Sequence, residues 1–245
     1  MKNPRVAILV FPGTNSEEET VDACLDAGLD ARQVLWSEPP SDLRAYDAFI
    51  LPGGFAYEDR VRAGAVAAKS ASVAVVAEEA ARGKLVLGLC NGAQVLAECG
   101  LLGPIAIARN LPAGRFQCQF VDVELAADPQ RCALTAGLPP GVRLRMTLAH
   151  GEGRFCGEEA IFSALERDGR ITFRYAGGAP NAAMHDAAAI CNERGNVLAC
   201  MPHPERAAWV FNVAFADPSL RGSDPMRPAG AHALFASMAH SLKAA

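Results

Sequence analysis

No run in this sequence approaches the roughly 18 apolar residues that a membrane-spanning helix needs. The stretch from Val6 to Phe11, stopped by Pro12-Gly13, is also too short for the core of a signal peptide. A cytoplasmic chain that does not enter a membrane is expected. Basic residues show no excess. The 23 Lys and Arg face 27 Asp and Glu, a net charge of -4, and they are spread without a cluster, which argues against a nucleic-acid partner. There is no Gly-x-x-x-x-Gly-Lys-Ser/Thr loop to cradle the phosphates of a nucleotide. Cys-x-x-Cys is missing too, and the one repeated spacing, Cys90 to Cys99 and Cys191 to Cys200, has no histidine in zinc-ligand register. Eight cysteines in a chain of this size without an export signal read as reduced thiols. His150, Glu152, His203 and Glu205 could in principle surround a metal. His-x-Glu lacks the i, i+4 register of the helical His-Glu-x-x-His motif, however, so no metal is expected.

Apolar residues are plentiful, at 51% of the chain against 20% charged, which suffices for a sizeable core. With no linker, repeat or low-complexity tract, residues 1–245 are expected to form one domain. Val6 to Phe11 reads as a strand covered on both faces, and Ser16-x-x-Glu19 as a capping box opening a helix with Val21, Cys24 and Leu25 on one face and Gly28 as its stop. Strands are expected at Val34 to Trp36, Ala48 to Leu51 and Leu85 to Leu89, with a helix from Ser72 to Arg82 before the last of them. This alternation predicts an α/β fold: a doubly wound, mostly parallel sheet with a flavodoxin-like core and functional loops at the carboxyl ends of its strands. Past Gly100, strand-like stretches at Cys118 to Leu125 and Arg143 to Leu148 suggest an antiparallel extension. Asn192-Glu193-Arg194-Gly195 reads as a hairpin turn between Ala187 to Cys191 and Val197 to Met201. A Pro/Gly/Asp-rich excursion at about 215–230, expected to be mobile, precedes a last helix from His232 to Leu242.

The chemistry concentrates where the Leu85 to Leu89 run meets Cys90-Asn91-Gly92-Ala93-Gln94. A strand feeding directly into a helix forces the residue between them into a sharp turn, and Gly88 and Gly92 permit the close approach that this requires. The turn aims the Cys90 thiol at the helix N-terminus, where a thiolate is favoured. Alone, Cys90 could be one more buried small hydrophobe. Downstream, Val197 to Met201 runs into Pro202-His203-Pro204-Glu205, where the two prolines hold His203 in extended backbone and Glu205 can orient its ring. His-x-Glu alone could be a solvated turn. Paired with the elbow it makes a Cys90-His203-Glu205 triad, with nucleophile, base and orienting carboxylate. The Gly53-Gly54 pair closing a strand, and the Asn91 amide after the nucleophile, could supply two oxyanion-hole donors at Gly54 and Asn91.

Taken in order, Pro52-Gly53-Gly54-Phe55-Ala56-Tyr57, Arg62-Ala63-Gly64-Ala65, Gly88-Leu89-Cys90-Asn91-Gly92-Ala93-Gln94, Ala149-His150-Gly151-Glu152-Gly153 and Met201-Pro202-His203-Pro204-Glu205-Arg206 resemble the class I, or triad, glutamine amidotransferases. The resemblance runs from about residue 5 to 206. It implies hydrolysis of glutamine, with Gln94, His150, Gly151 and Glu152 gripping the amino-acid end of the substrate. It implies no cofactor on this chain. Ammonia would pass to a separate synthetase subunit, which carries ATP and magnesium and aminates formylglycinamide ribonucleotide in de novo purine synthesis, with a small accessory subunit as a further partner. Other readings are a glutaminase serving a GMP, CTP or carbamoyl phosphate synthetase, or a cysteine-elbow sensor without turnover. The chain departs from the family pattern at Glu58, where glycine is usual, at Asn181 to Asp186, and in a longer tail from Ala207 to Gly230.

Overall fold

The computed structural model describes residues 3–244. In chain order the strands and helices are β1 (Arg5–Val10), α1 (Glu17–Asp26), β2 (Asp30–Leu35), β3 (Ala48–Leu51), α2 (Ala71–Ala81), β4 (Leu85–Leu89) and α3 (Asn91–Glu98). They continue with β5 (Ala106–Arg109), β6 (Gln117–Leu125), β7 (Arg143–His150), β8 (Glu152–Cys156), α4 (Glu159–Arg167), β9 (Ile171–Tyr175), β10 (Ala187–Cys191), β11 (Val197–Cys200), α5 (Val210–Val213) and α6 (Ala233–Ala244). Nine strands form one sheet in the order β2-β1-β3-β4-β11-β10-β9-β6-β7. The first five run parallel, which is the 2-1-3-4-5 order of flavodoxin-like sheets. From β11 outward every pairing is antiparallel, so the expected extension is built onto the same sheet.

The central parallel strands are apolar along their length because helices cover both faces: every residue of β3, β4 and β11 is buried. β2, at the edge, buries only Val34, and its apolar pattern is too thin to reveal that the strand begins at Asp30. Parallel pairing carries β3, β4 and β11 to a common carboxyl edge, with Leu51 opposite Gly88 and Cys200 opposite Leu89. Pro52-Gly53, Cys90 and Pro202-His203 leave the sheet there, side by side.

Two details of α1 differ from expectation. Ser16 is its N-cap residue, but the side chain makes no capping bond. The hydroxyl instead accepts from the Gly53 N–H at 2.9 Å, a partner on another strand end. Leu25 is half exposed, and α1 buries Thr20, Ala23 and Cys24. The tail excursion is tied back over the sheet: Val210 N–H donates to Arg227 O, Phe211 N–H to Pro225 O and the Arg145 guanidinium to Ala216 O.

Candidate active site

Cys90 joins β4 to α3 with φ 48° and ψ -102°, a backbone conformation that costs a non-glycine residue energy and lifts the side chain out of both elements. Its neighbours hold it there. Cys90 N–H donates to Cys200 O at 2.8 Å, and Gly92 N–H to Pro52 O at 3.1 Å, so the elbow is bonded to the ends of both flanking strands. A Cβ on Gly92 would lie 1.9 Å from Leu51 O, and one on Gly88 would lie 2.5 Å from Leu96 Cδ1. Both glycines are therefore fixed by close packing of α3 on the sheet.

His203 arrives from β11 and is clamped by a two-way backbone bridge to Thr147, whose carbonyl accepts from His203 N–H at 2.7 Å and whose N–H donates to His203 O at 3.3 Å. A Cβ at residue 53 would lie 2.4 Å from His203 Cε1, so the ring lies against Gly53. Nδ1 bonds Glu205 Oε1 at 2.5 Å, and both side chains are buried. Burial works against the charged ring, but the Glu205 carboxylate and the Cys90 sulfur outweigh it and hold the His203 pKa up to about 10. With Nδ1 spent on Glu205, the nitrogen that meets the sulfur is Nε2. Nε2 has no hydrogen-bond partner among the described residues, which leaves it free for a proton in transit, while the Cys90 thiol lies 3.7 Å from Ala149 O.

At Gly54, φ is 145°, and a Cβ would come within 2.6 Å of Gly13 O. The flanking bonds, Asn15 N–H to Gly53 O at 3.1 Å and Phe55 N–H to Gly13 O at 2.8 Å, straddle Gly54 and leave its own N–H without a protein acceptor. Asn91 N–H belongs to the first turn of α3 and has no intrahelical partner. Two backbone donors are thus unspent, one directly after Cys90 and one next to Gly53, against which the His203 ring lies.

The four residues expected to grip a substrate lie around this centre. Gln94 is buried, donating from Nε2 to Glu152 O at 2.5 Å and accepting from Asn91 Nδ2 at 2.8 Å. Asn110 Oδ1 accepts from both Gly153 N–H and His150 Nδ1, each at 3.1 Å, which assigns the His150 proton to Nδ1 and leaves Nε2 as a buried lone pair. Burial first, and the nearby His203 charge second, lower the His150 pKa to about 3, so the ring is neutral. Gly151 O accepts from Asn110 N–H, and the Glu152 carboxylate receives Ala63 N–H at 3.4 Å. Among the described residues, no group of three or more His, Cys, Asp or Glu side chains is placed to hold a metal.

A glutamine amidotransferase domain of the CobB/CobQ-like type matches residues 3–228. Phosphoribosylformylglycinamidine synthase subunit PurQ of Trichormus variabilis is 41% identical over 223 residues, covering 91% of this chain and 94% of that one. Its counterpart in Thermus thermophilus is 44% identical over 209 residues, covering 83% and 89%. The chain belongs to the glutamine amidotransferase family. A solved structure of PurLQS from Thermotoga maritima superposes with a TM-score of 0.78 at 32% identity, over 98% of this chain and 99% of that one. A putative GMP synthase subunit from Thermoplasma acidophilum, at TM-score 0.62 and 12% identity, shares the fold.

Within this amidotransferase, several residues around the thiol carried no sequence signal for their role. Ser16 looked like a helix cap, and Asn110 lies in no motif. Asp59 accepts from Asn91 Nδ2 at 3.0 Å; burial, then the charge of Glu152, raise its pKa to about 6 against that hydrogen bond. Asp59 stands in a run of left-handed residues, Tyr57 (φ 54°), Glu58 (φ 59°) and Asp59 (φ 51°). The departure at Glu58 therefore puts a side chain where glycine would sit without strain.

Proposed function

We infer that this chain is the glutaminase subunit of phosphoribosylformylglycinamidine synthase. It hydrolyses glutamine to glutamate and ammonia, and the ammonia converts formylglycinamide ribonucleotide to formylglycinamidine ribonucleotide in de novo purine synthesis. The observation that carries the reading is the buried Cys90, His203 and Glu205 centre beside two free backbone donors, in a chain more than 40% identical to subunits of that synthase. ATP and magnesium belong to the synthetase subunit, and a small accessory subunit completes the assembly. This division agrees with the lack of a phosphate-binding loop in the chain.

The Cys90 thiolate attacks the side-chain amide carbon of glutamine, and the oxygen that takes up the charge is held by the Gly54 and Asn91 N–H groups, at about 3 kcal/mol per donor. His203 Nε2 gives its proton to the departing ammonia, leaving a glutamyl thioester on the sulfur. The ring, neutral after that transfer, takes a proton from water as it attacks the thioester, and glutamate leaves as the thiolate reforms. Glu205 stabilises the imidazolium before and after. Neutral His150, Gln94 and the backbone of Gly151 and Glu152 grip the amino-acid end of the substrate.

The test is Cys90→Ala in the assembled complex. Glutamine-dependent synthesis should be abolished, while synthesis from added ammonia continues at the wild-type rate. Loss of both reactions would mean that Cys90 holds the assembly together and the reading fails.

A further inference from the structure

The segment Asn181 to Asp186, which departs from the family pattern, is held by an arrangement that the hydrolysis of glutamine leaves unexplained. Three of its non-glycine residues are left-handed: Ala182 (φ 60°), His185 (φ 51°) and Asp186 (φ 54°). Such a segment needs an external hold. His185 supplies it with both ring nitrogens, Nδ1 on Glu166 Oε2 at 2.6 Å and Nε2 on Glu159 Oε1 at 2.8 Å, while its ring lies 5.9 Å from the buried Phe162 ring. Carboxylates only accept, so both bonds exist together only when the ring carries two protons. Arg174 closes the cluster, donating to His185 O at 3.0 Å and to Glu166 Oε1 at 2.6 Å.

The same segment reaches the substrate end of the site. Asn181, fully buried, donates from Nδ2 to Gly153 O at 2.8 Å, and its carbonyl accepts from Leu111 N–H. Gly153 N–H is held in turn by Asn110, and the His150 ring covers Gly153 so closely that a Cβ there would come within 2.0 Å of it. Asn181 and Asn110 thus grip Gly153 from its two sides, and Gly153 is the surface on which His150 rests.

We propose that His185, clipped between Glu159 and Glu166, is a positioning residue for glutamine binding: it holds the Asn181 strap against Gly153, and through Gly153 sets the place of His150. The proposal rests on the reading of this site as a glutaminase. Four charged groups face the clip: Glu159 and Glu166 from α4, Arg174 from β9, and Asp186 beside it, whose Oδ1 is occupied by Ala179 N–H. The hydrogen bond to Glu159, opposed by burial and reinforced by Glu166, raises the His185 pKa above the ordinary 6.5. The clip is therefore complete below that value and opens as pH rises through the raised one.

The experiment compares wild type, His185→Gln and Glu159→Gln in the assembled complex. The KM for glutamine is measured against pH, and hydrogen exchange is followed at Leu111 and Gly153. Wild-type KM should climb on the alkaline side. In His185→Gln it should be raised about fivefold or more at neutral pH and lose that dependence, with kcat and the ammonia-dependent rate nearly unchanged. Glu159→Gln, a change at an exposed position, should move the climb to lower pH. Exchange at Leu111 and Gly153 should quicken in His185→Gln. Wild-type KM and pH profile in His185→Gln would overturn the proposal, even if exchange quickened. Unchanged exchange would overturn it whatever the KM. A wild-type complex that uses ammonia and not glutamine would instead refute the glutaminase reading, with exchange still judging the strap.

Discussion

Glu205 governs how long His203 keeps its second proton. The folded ring holds its pKa at about 10 against an ordinary 6.5, in spite of burial, through Glu205 and Cys90. A group raised in this direction stabilises the fold fully below its unfolded value and loses that contribution as pH climbs through the folded one. Thermal unfolding followed from about pH 6 to 10 should show the wild type weakening towards the top of that range. Glu205→Gln, which keeps a hydrogen-bonding partner and removes the charge, should begin to weaken earlier. Superimposable curves would mean that Glu205 does not hold the proton. At this scale, the placement of a residue that follows from its own neighbours in the chain is legible in the sequence: Cys90 on a turn between a strand and a helix, His203 between prolines at a strand end. Ser16, Asn110 and Asn181 are not, because each acts on a backbone group far along the chain that nothing local announces.

Ser16 shows the difficulty at the scale of elements. The pattern Ser16-x-x-Glu19 has the chemistry of a helix cap, yet the hydroxyl serves the end of β3, holding Gly53 N–H while Asn15 N–H holds Gly53 O. A glycine pair is free to turn over in isolation, but here the peptide between Gly53 and Gly54 is bonded in the orientation that leaves Gly54 N–H open. Ser16→Ala would strand a buried N–H at a cost of about 1–3 kcal/mol. The expected outcome is a lower kcat for glutamine with α1 intact by circular dichroism; an unchanged kcat would show that the loop needs no such hold. Strands buried on both faces, such as β3 and β4, were predicted with their observed bounds. The β5–β8 ribbon, α4 and β9 are not among the expected elements: β5, β8 and β9 are only four or five residues long, and α4 buries only Phe162 and Leu165.

For the molecule as a whole, the exposed apolar side chains matter most. Phe55, Val61, Leu111 and Phe116 stand next to Gly54, the Asp59 loop, Asn110 and Gly151, and Phe55 and Phe116 lie 6.4 Å apart, ring to ring. The adjoining loop holds Tyr57, Glu58, Asp59 and Val61 in left-handed backbone at about 1–2 kcal/mol each, so the lone chain has easier conformations open to it. Glutamine turnover by the lone chain is therefore expected to be slow and to rise when the nucleotide-bound synthetase docks. Glu58→Gly should relieve strain and narrow the difference. A lone wild-type chain already at full rate would show that the loop is set without a partner.

The bridge between Thr147 and His203 closes a circuit: β11, β10, β9, β6 and β7 lead away from the parallel half, and the bridge brings the last of them back to the end of the first. This gives the site a history in time. Cys90 leaves the ribosome long before His203, on a strand that can already pair with β3, but the His203 ring has no seat until β7 is in place and the segment after β11 has been made. A growing chain carries the Cys90 thiol first, and the two side chains we propose as nucleophile and base can meet only once the circuit shuts.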